Sequence, residues 1–238
     1  QETGQPAYLA SAIKAGKFLV SQQDPDGAWR KSLSDFTMNS RMSSYTYNTR
    51  TAWGLMELAF VTGDEEFEEA AIRNIEFALG QQLENGWFRS NCLNDPLQPL
   101  LHTIAYCIRG IMEIGALMKN QEYITRARRA ADSVLARQRH DGSLAGRFNE
   151  RWEPAVSWRC LTGEAQMAGI WGRLYQITGQ PEYLKGMRRT NAALRKIQLL
   201  HTDHPGLYGG ISGSHPIQGG YGRFEILNWA VKFFVDAQ

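Results

Sequence analysis

The chain has 238 residues, of which 43% are hydrophobic and 21% are charged, and its formal net charge is +2 at pH 7. This composition is ordinary for a soluble globular protein, and a chain of this length can bury a sizeable core in one domain. No apolar run approaches the ~18 residues that a membrane helix needs, and the dispersed positive charge does not form a nucleic-acid-binding surface. We therefore expect neither a membrane span nor a nucleic-acid partner.

The three cysteines, Cys92, Cys107 and Cys160, are odd in number and far apart in the chain. This spacing argues against a disulfide framework and favours a reducing compartment such as the cytoplasm. Because the chain begins at Gln1 without a methionine, a removed leader would leave no trace, and the localisation stays open. Cys107 and Cys160 fall on predicted inner helices, where we expect small core residues.

In chain order, four segments begin with an aromatic residue and carry a glutamine 15 positions later. They are Tyr8 to Gln23, Phe67 to Gln82, Tyr123 to Gln138 and Tyr183 to Gln198. Their starts lie 59, 56 and 60 residues apart, so the chain is a fourfold repeat. A repeat of this size is one supersecondary unit that buries its apolar face against its neighbours, and it therefore predicts the architecture.

Each repeat opens with a turn signal and continues as an amphipathic helix. The segments at 2–9 and 177–184 agree at six of eight positions, with a glycine that suits a helix end and a proline that suits a helix start. In the first repeat, apolar residues then recur at helical spacing at Tyr8, Ala12 and Leu19. One polar face and one apolar stripe predict an outer, half-exposed helix of about four turns.

A second, less polar helix follows a long loop in each repeat. Three of these helices carry a glycine at a similar place, Gly54, Gly110 and Gly169, and the fourth, near 224–236, does not. Glycine costs roughly 1 kcal/mol relative to alanine inside a helix, so its recurrence predicts backbones packed closely in an inner ring. The predicted fold class is all-α: one α/α-toroid domain over 1–238, an incomplete or small barrel of four outer–inner helix hairpins.

The four long loops lie at about 24–45, 83–100, 139–158 and 199–222, each before an inner helix. They are predicted to emerge at one end of the barrel, where helix N-termini favour anions, and the functional face is expected there. The first repeat begins with an outer helix that has no inner helix before it. Either the last inner helix closes the ring against the first outer helix, or the chain is the C-terminal part of a longer toroid and contacts the remainder. We favour the second interpretation.

The loop entries carry a family resemblance. QDPDGAW at 23–29 satisfies a Q-x-x-x-G-x-W pattern, and QLENGWF at 82–88 and QRHDGSL at 138–144 keep the glutamine and glycine. The pattern resembles the repeats of squalene and other triterpene cyclases, and the T-G-x-x-x-Y turn resembles the six-hairpin glycosidases and sugar epimerases. The segments at 100–115, 160–179 and 219–234 resemble uncharacterised toroid proteins that accompany bacterial polysaccharide genes. The resemblance implies an α/α-toroid fold, which hosts several chemistries.

Two of these chemistries find little support in the residues. The D-x-D-D acid that starts squalene-type cyclisation does not occur, so a terpenoid cyclase-like or prenyl-processing role ranks third. The cysteines and histidines show no zinc-ligand spacing, and the HTDH segment at 201–204 is followed by Pro205. We therefore expect no metal site and no cofactor.

Carbohydrate chemistry fits the loop face best, because aromatic rings pack on sugars and arginines pair with carboxylates. A glycosidase needs two carboxylates ~5–9 Å apart, whereas a lyase or epimerase needs a base and a cation. The candidate catalytic residues are Glu164, Glu225, His102 and Tyr106. The candidate substrate-binding residues are Tyr47, Asn48, Arg50, Trp87, Trp158, Arg159, His215, Tyr221 and Arg223. Both glutamates stand near predicted starts of inner helices, where they can instead stabilise the helix dipole.

The expected function is a carbohydrate-active enzyme of glycoside hydrolase, polysaccharide lyase or sugar epimerase type, acting on a bacterial oligosaccharide or polysaccharide. A uronate-containing glycan is favoured by Arg50, Arg109, Arg159 and Arg223. The alternative is a non-catalytic glycan-binding or scaffold domain in polysaccharide biosynthesis. An acid and a base within reach of one sugar favour the enzyme, and a shallow aromatic groove without them favours the binding domain.

Overall fold

The computed structural model describes residues 3–30 and 45–238, so 31–44 of the predicted first loop lie outside the described residues. A 3₁₀ turn at Thr46–Asn48 leads into the second helix, and two short strands, β1 (Arg159–Cys160) and β2 (Ser214–His215), pair antiparallel. The α-helices are α1 (Pro6–Gln22), α2 (Thr49–Thr62), α3 (Glu65–Gly80), α4 (Leu101–Leu117), α5 (Gln121–Leu135), α6 (Leu161–Thr178), α7 (Pro181–Arg195) and α8 (Asn228–Asp236).

The helices alternate between an outer and an inner layer. The inner helices α2, α4, α6 and α8 pack side by side in that order, and α3, α5 and α7 each pack on the inner helix that precedes them. Helix α4 is buried on almost every side, whereas α5 buries one stripe and exposes the rest. The predicted α/α toroid of four outer–inner hairpins is thereby confirmed. Among the helices of the described part, none is long and apolar enough to cross a bilayer.

The repeated glutamine joins each loop to the next outer helix. In the first three repeats its amide nitrogen donates to the carbonyl of the loop glycine four residues later and to a carbonyl in the following outer helix. These glutamines are Gln23, with Gly27 and Ala70; Gln82, with Gly86 and Arg126; and Gln138, with Gly142 and Gly186. In the fourth repeat, Gln198 donates to the Gly209 carbonyl at 3.0 Å. The glutamine is therefore part of the scaffold.

The loop glycines lie directly against the neighbouring helix. Gly27, Gly86 and Gly142 have φ values of +88°, +85° and +88°, in the left-handed region. A Cβ added to Gly27 would lie 2.2 Å from the carbonyl oxygen of Arg73, and one added to Gly142 would lie 2.3 Å from that of Arg189. Both the backbone angle and the close approach require glycine here.

The helix glycines only partly follow the prediction of close packing. At Gly110 it is confirmed, because an added Cβ would lie 2.3 Å from the backbone of α2. At Gly54 and Gly169 it is wrong: no atom of the described residues lies within 4 Å of a Cβ at Gly54, and the nearest such atom at Gly169 is 3.7 Å away. Helix α6 instead approaches α4 through Gly163, whose Cβ would lie 2.7 Å from the backbone nitrogen of His102.

The last inner helix begins later than predicted, at Asn228 instead of near residue 224. The preceding segment is tied to 211–213 by backbone hydrogen bonds, from Gly213 to the Glu225 carbonyl and from Leu227 to the Ile211 carbonyl, both 3.1 Å. Because these bonds hold the segment extended, the helix cannot start before they end.

Substitutions at Gly179 and Gly142 allow two contributions to the free energy of unfolding to be measured separately: the left-handed backbone angle and the close packing against a neighbouring helix. Gly179 has φ +71° and no atom of 3–30 or 45–238 within 4 Å of an added Cβ, whereas Gly142 also meets the backbone of α7. We expect Gly179→Ala to lower the free energy of unfolding by about 1–2 kcal/mol through the angle alone. Gly142→Ala should lower it further, because the loop must move off α7. Urea unfolding measures both, and equal losses would contradict the packing described.

Candidate functional site

A cavity of about 270 Å³ lies between the inner helices. Its volume is just below the range typical of small-molecule sites. Each of the four inner helices contributes to its wall, and small residues of α6 leave room on one side. Its polar and aromatic lining residues are Arg50, Trp53, Tyr106, Arg109, Gln166, Lys232, Phe233 and Asp236.

Two guanidinium groups flank the indole of Trp53 in this cavity. The Cζ atom of Arg50 lies 4.5 Å from the Trp53 ring centroid, and that of Arg109 lies 5.5 Å from it. Arg50 Cζ is also 5.7 Å from the Tyr106 ring. Guanidinium groups stack well on aromatic faces, so the two rings hold Arg50 in place without neutralising it.

The cations of the cavity differ in their partners. Arg109 Nη2 pairs with Glu113 Oε1 at 2.7 Å, and Lys232 pairs with Asp236 one helical turn later. Within 3–30 and 45–238, no carboxylate forms an ion pair with Arg50. Burial lowers the pKa of Arg50, but an arginine stays charged at neutral pH. The cavity therefore holds a positive charge available to an anionic group.

His102 and two tyrosines form an aromatic cluster beside the cavity. The His102 ring centroid lies 4.4 Å from that of Tyr106 and 5.4 Å from that of Tyr221. Its Nδ1 lies 2.8 Å from Gln166 Oε1. Burial lowers the pKa of His102 to about 4, although the Gln166 hydrogen bond acts in the opposite direction, so the ring is neutral at pH 7.

Tyr106 connects this cluster to the cavity, because it lines the cavity and contacts the His102 ring. Burial raises the pKa of the Tyr106 hydroxyl, although the charge of Arg50 acts to lower it. The hydroxyl is therefore protonated at neutral pH. Neutral His102 and protonated Tyr106 form a pair of groups that can accept and donate a proton.

The glycine-rich loop before α8 brings Tyr221 over α4. The Tyr221 hydroxyl accepts a 3.0 Å hydrogen bond from Trp229 Nε1, and its backbone is held by the Ser214 hydroxyl. Gly220 lies against the indole of Trp158, with an added Cβ 3.0 Å from Cζ2. Trp158 is half-buried, packs under the loop and does not line the cavity.

Glu164, the first predicted catalytic acid, is fully buried with both carboxylate oxygens engaged. Oε1 accepts from Arg159 Nε at 2.8 Å and from the Leu144 backbone at 2.9 Å, and Oε2 accepts from Arg159 Nη2 at 2.6 Å. Burial raises the pKa of Glu164, although its three donors act to lower it. Burial lowers the pKa of Arg159, but Glu164 more than offsets this and raises it overall. This geometry supports a structural ion pair for both residues.

The remaining charged candidates lie on the surface of the last loop. Glu225 and Arg223 are exposed and precede α8, so neither opens that helix as predicted. His215 is exposed on β2 opposite Arg159, and burial together with that arginine lowers its pKa. Because Glu164 is sealed in an ion pair and Glu225 is exposed, the structure gives no support to a two-carboxylate site built from them.

Three other predicted binding residues lie away from the cavity wall. Trp87 is 3% exposed and packs edge-on against Trp152, with ring centroids 5.0 Å apart, so it belongs to the core. Tyr47 and Asn48 are half-buried in the 3₁₀ turn before α2. Burial raises the pKa of Tyr47. The structure thus brings together Arg50, His102, Tyr106 and Tyr221, and leaves the other candidates outside this group.

Five polar or aromatic residues of the cavity wall were not predicted from the sequence: Trp53, Gln166, Lys232, Phe233 and Asp236. A signal existed for Trp53, which follows Arg50 by three residues and so shares its helix face. The same spacing relates Arg109 to Tyr106. The sequence pattern did not indicate the lining residues of α8, because this helix was predicted to start near residue 224 and in fact starts at Asn228.

Comparisons with known proteins place the fold. No protein-family model and no curated protein matches the chain. Among solved structures, the unsaturated glucuronyl hydrolase from Bacillus sp. GL1, described as responsible for glycosaminoglycan degradation, matches with a TM-score of 0.76 and 16% identity over 98% of this chain and 68% of its own. Cellobiose 2-epimerase from Bacillus thermoamylovorans matches with 0.76 and 14% over 98% and 66%.

An α-1,6-mannanase of Salegentibacter sp., solved with α-1,6-mannotriose, matches with a TM-score of 0.68 and 14% identity over 97% of this chain and 62% of its own. The chain thus spans about two thirds of the length of these structures. At such identities the similarity shows the fold, which is the α/α toroid. The neighbours are a hydrolase, an epimerase and a mannanase, all of them carbohydrate enzymes.

The structural role of the Glu164–Arg159 ion pair can be tested by measuring the free energy of unfolding of a variant that lacks the carboxylate. Glu164→Gln leaves the Arg159 charge buried without its carboxylate, so the free energy of unfolding should fall by about 3–5 kcal/mol in urea at pH 7. Glu153→Gln is the control, because it removes an exposed pair with Arg151 in the same loop region and should leave stability close to wild type. Similar stabilities of the two variants would contradict the structural role of Glu164.

Proposed function

We propose that the protein is a carbohydrate-active enzyme that binds an acidic, uronate-containing glycan between its inner helices. The observation that carries this proposal is Arg50, a charged guanidinium stacked on Trp53 and Tyr106 that has no ion-pair partner in the described part of the chain. A sugar carboxylate can pair with such a group through two hydrogen bonds, while the sugar ring packs on the aromatic faces.

The fold supports the same class of substrate. The glucuronyl hydrolase, the epimerase and the mannanase share this toroid, and all three are carbohydrate enzymes. A fold alone does not fix a reaction, so the cavity carries the assignment of the substrate. Its mixture of aromatic, amide and cationic groups is the lining that a charged sugar requires.

Proton abstraction is the reaction type that the cavity supports best. In a uronate, a base can remove the proton on the carbon beside the carboxylate, and the electron pair passes to the carboxylate, where a cation stabilises it. Expulsion of the neighbouring glycosidic oxygen, with a proton, completes a lyase reaction. Return of a proton to the opposite face of the same carbon completes an epimerisation.

The described residues supply each part of this chemistry. Arg50 neutralises the carboxylate, and His102 and Tyr106 are the proton acceptor and donor beside the cavity. A two-carboxylate hydrolysis is less well supported, because Asp236, the carboxylate in the cavity wall, is already paired with Lys232.

Replacing Arg50 should change affinity according to the charge of the sugar. Arg50→Gln removes a charge-assisted hydrogen bond, worth about 1.5–3 kcal/mol, so we expect the Kd for a uronate-containing oligosaccharide to rise at least about tenfold. The Kd for a neutral oligosaccharide should change little. Arg188→Gln, on the exposed outer face of α7, is the matched control and should behave as wild type. Calorimetric titration gives both constants.

Measuring turnover of the same oligosaccharides distinguishes a catalytic function from a binding function. Uronate binding that depends on Arg50, without any turnover, would favour the non-catalytic glycan-binding alternative. Equal loss of neutral and acidic ligands in Arg50→Gln would overturn the assignment of Arg50 to the carboxylate.

A further inference from the structure

Gln166 forms the wall between the cavity and His102. It is 7% exposed, lines the cavity from α6, and reaches across to α4, where its Oε1 lies 2.8 Å from His102 Nδ1. Its amide nitrogen makes no hydrogen bond with any group in 3–30 or 45–238, although the residue borders the cavity. One end of this side chain therefore holds the histidine, and the other is available to a ligand.

The amide oxygen decides which nitrogen of the ring carries the proton. An amide oxygen only accepts, so Nδ1 must donate, and a neutral imidazole has a single N–H. Nε2 then keeps its lone pair. When Nε2 takes a proton, Nδ1 still donates to the same oxygen, so the hydrogen bond stabilises the charged ring without any rearrangement.

The surroundings of the ring favour this neutral state. Tyr106 faces it from α4, Tyr221 from the loop before α8, and Gln166 from α6. None of these three groups carries a charge at neutral pH. The nearby N-terminus of α4 also disfavours a cationic ring. His102 is therefore a neutral imidazole at neutral pH and can act as a base.

We propose that Gln166 is a positioning residue that fixes His102 in the Nδ1–H form and leaves Nε2 as the proton acceptor of the site. The catalytic meaning of this arrangement rests on the proposed function, but the position of the proton does not. The arrangement also links the two ends of Gln166: a sugar oxygen that accepts from its amide nitrogen would lock the side chain in the orientation that holds His102.

Glutamine at position 166 has an effect on His102 that neither leucine nor glutamate would reproduce. A leucine at 166 would keep the volume but remove the acceptor, so neither ring nitrogen would be selected. A glutamate would keep the acceptor but add a negative charge, which stabilises the imidazolium and raises the pKa of His102. The two substitutions therefore predict different spectra for one ring.

The test is ¹⁵N NMR of the histidine rings in wild type, Gln166→Leu and Gln166→Glu, with His102→Gln to assign the signal among the five histidines. In the wild type, the shifts should show a protonated Nδ1 and a bare Nε2, with titration near the pKa of about 4. Gln166→Leu should give a mixture of the two neutral forms. Gln166→Glu should raise the midpoint by at least one pH unit. Gln176→Leu, on the exposed part of the same helix, is the control and should match wild type.

A protonated Nε2 in the wild type, or an unchanged spectrum in Gln166→Leu, would overturn the proposal. If either variant fails to fold, the wild-type spectrum alone still decides, because it reports which nitrogen carries the proton. The pH profile of turnover adds an independent readout, since its acid limb should move up with the His102 midpoint in Gln166→Glu. The predicted tautomer without turnover of any uronate glycan would leave the positioning role intact and count against the proposed function.

Discussion

The hydrogen bonds of the repeated glutamine side chains hold the structure together. In the first three repeats, each amide spans two polypeptide segments, donating to a carbonyl in its own loop and to another in the following outer helix. Buried carbonyls must find donors, and here one side chain serves both segments that meet at each repeat boundary. The loops are thereby fixed at the ends of the inner helices, and the inner helices in turn present one face each to a common cavity. The loop glycines allow the close approach that this bridge requires.

Two arginines show how partners decide the role of a residue. Arg159 donates two hydrogen bonds to Glu164 in a buried environment, so this ion pair holds β1 against α6. Arg50 is held by aromatic faces, which orient a cation but leave its hydrogen-bonding edge available. Since a buried charge without a counter-ion is costly, a position that keeps one is a good candidate for binding an anion. His102, which is buried and neutral, lies beside Arg50. The described side chains that contact its ring are Tyr106, Tyr221 and Gln166, and none of them carries a charge that would stabilise the protonated ring.

The sequence was informative where structure is determined locally. The repeat spacing and the helical periodicity predicted the order of outer and inner helices, because both depend on residues close together in the chain. The start of α8 was misplaced because it is set by bonds to residues 211–213, which no local pattern reveals. The same limit applies to the site. Arg50 was predicted on the loop face and His102 and Tyr106 on an inner helix, and all three lie in or beside the cavity. The burial of Trp87 and the pairing of Glu164, in contrast, depend on tertiary contacts.

The central claim is that the space between the inner helices is a site for an acidic sugar. A crystal structure of the protein with a glucuronate-containing disaccharide tests it most directly. We expect the sugar carboxylate to lie within hydrogen-bonding distance of the Arg50 guanidinium, with the sugar ring beside Trp53 or Tyr106. A disaccharide bound on the exposed loop at Arg223, or one that enters the cavity with its carboxylate turned away from Arg50, would contradict it.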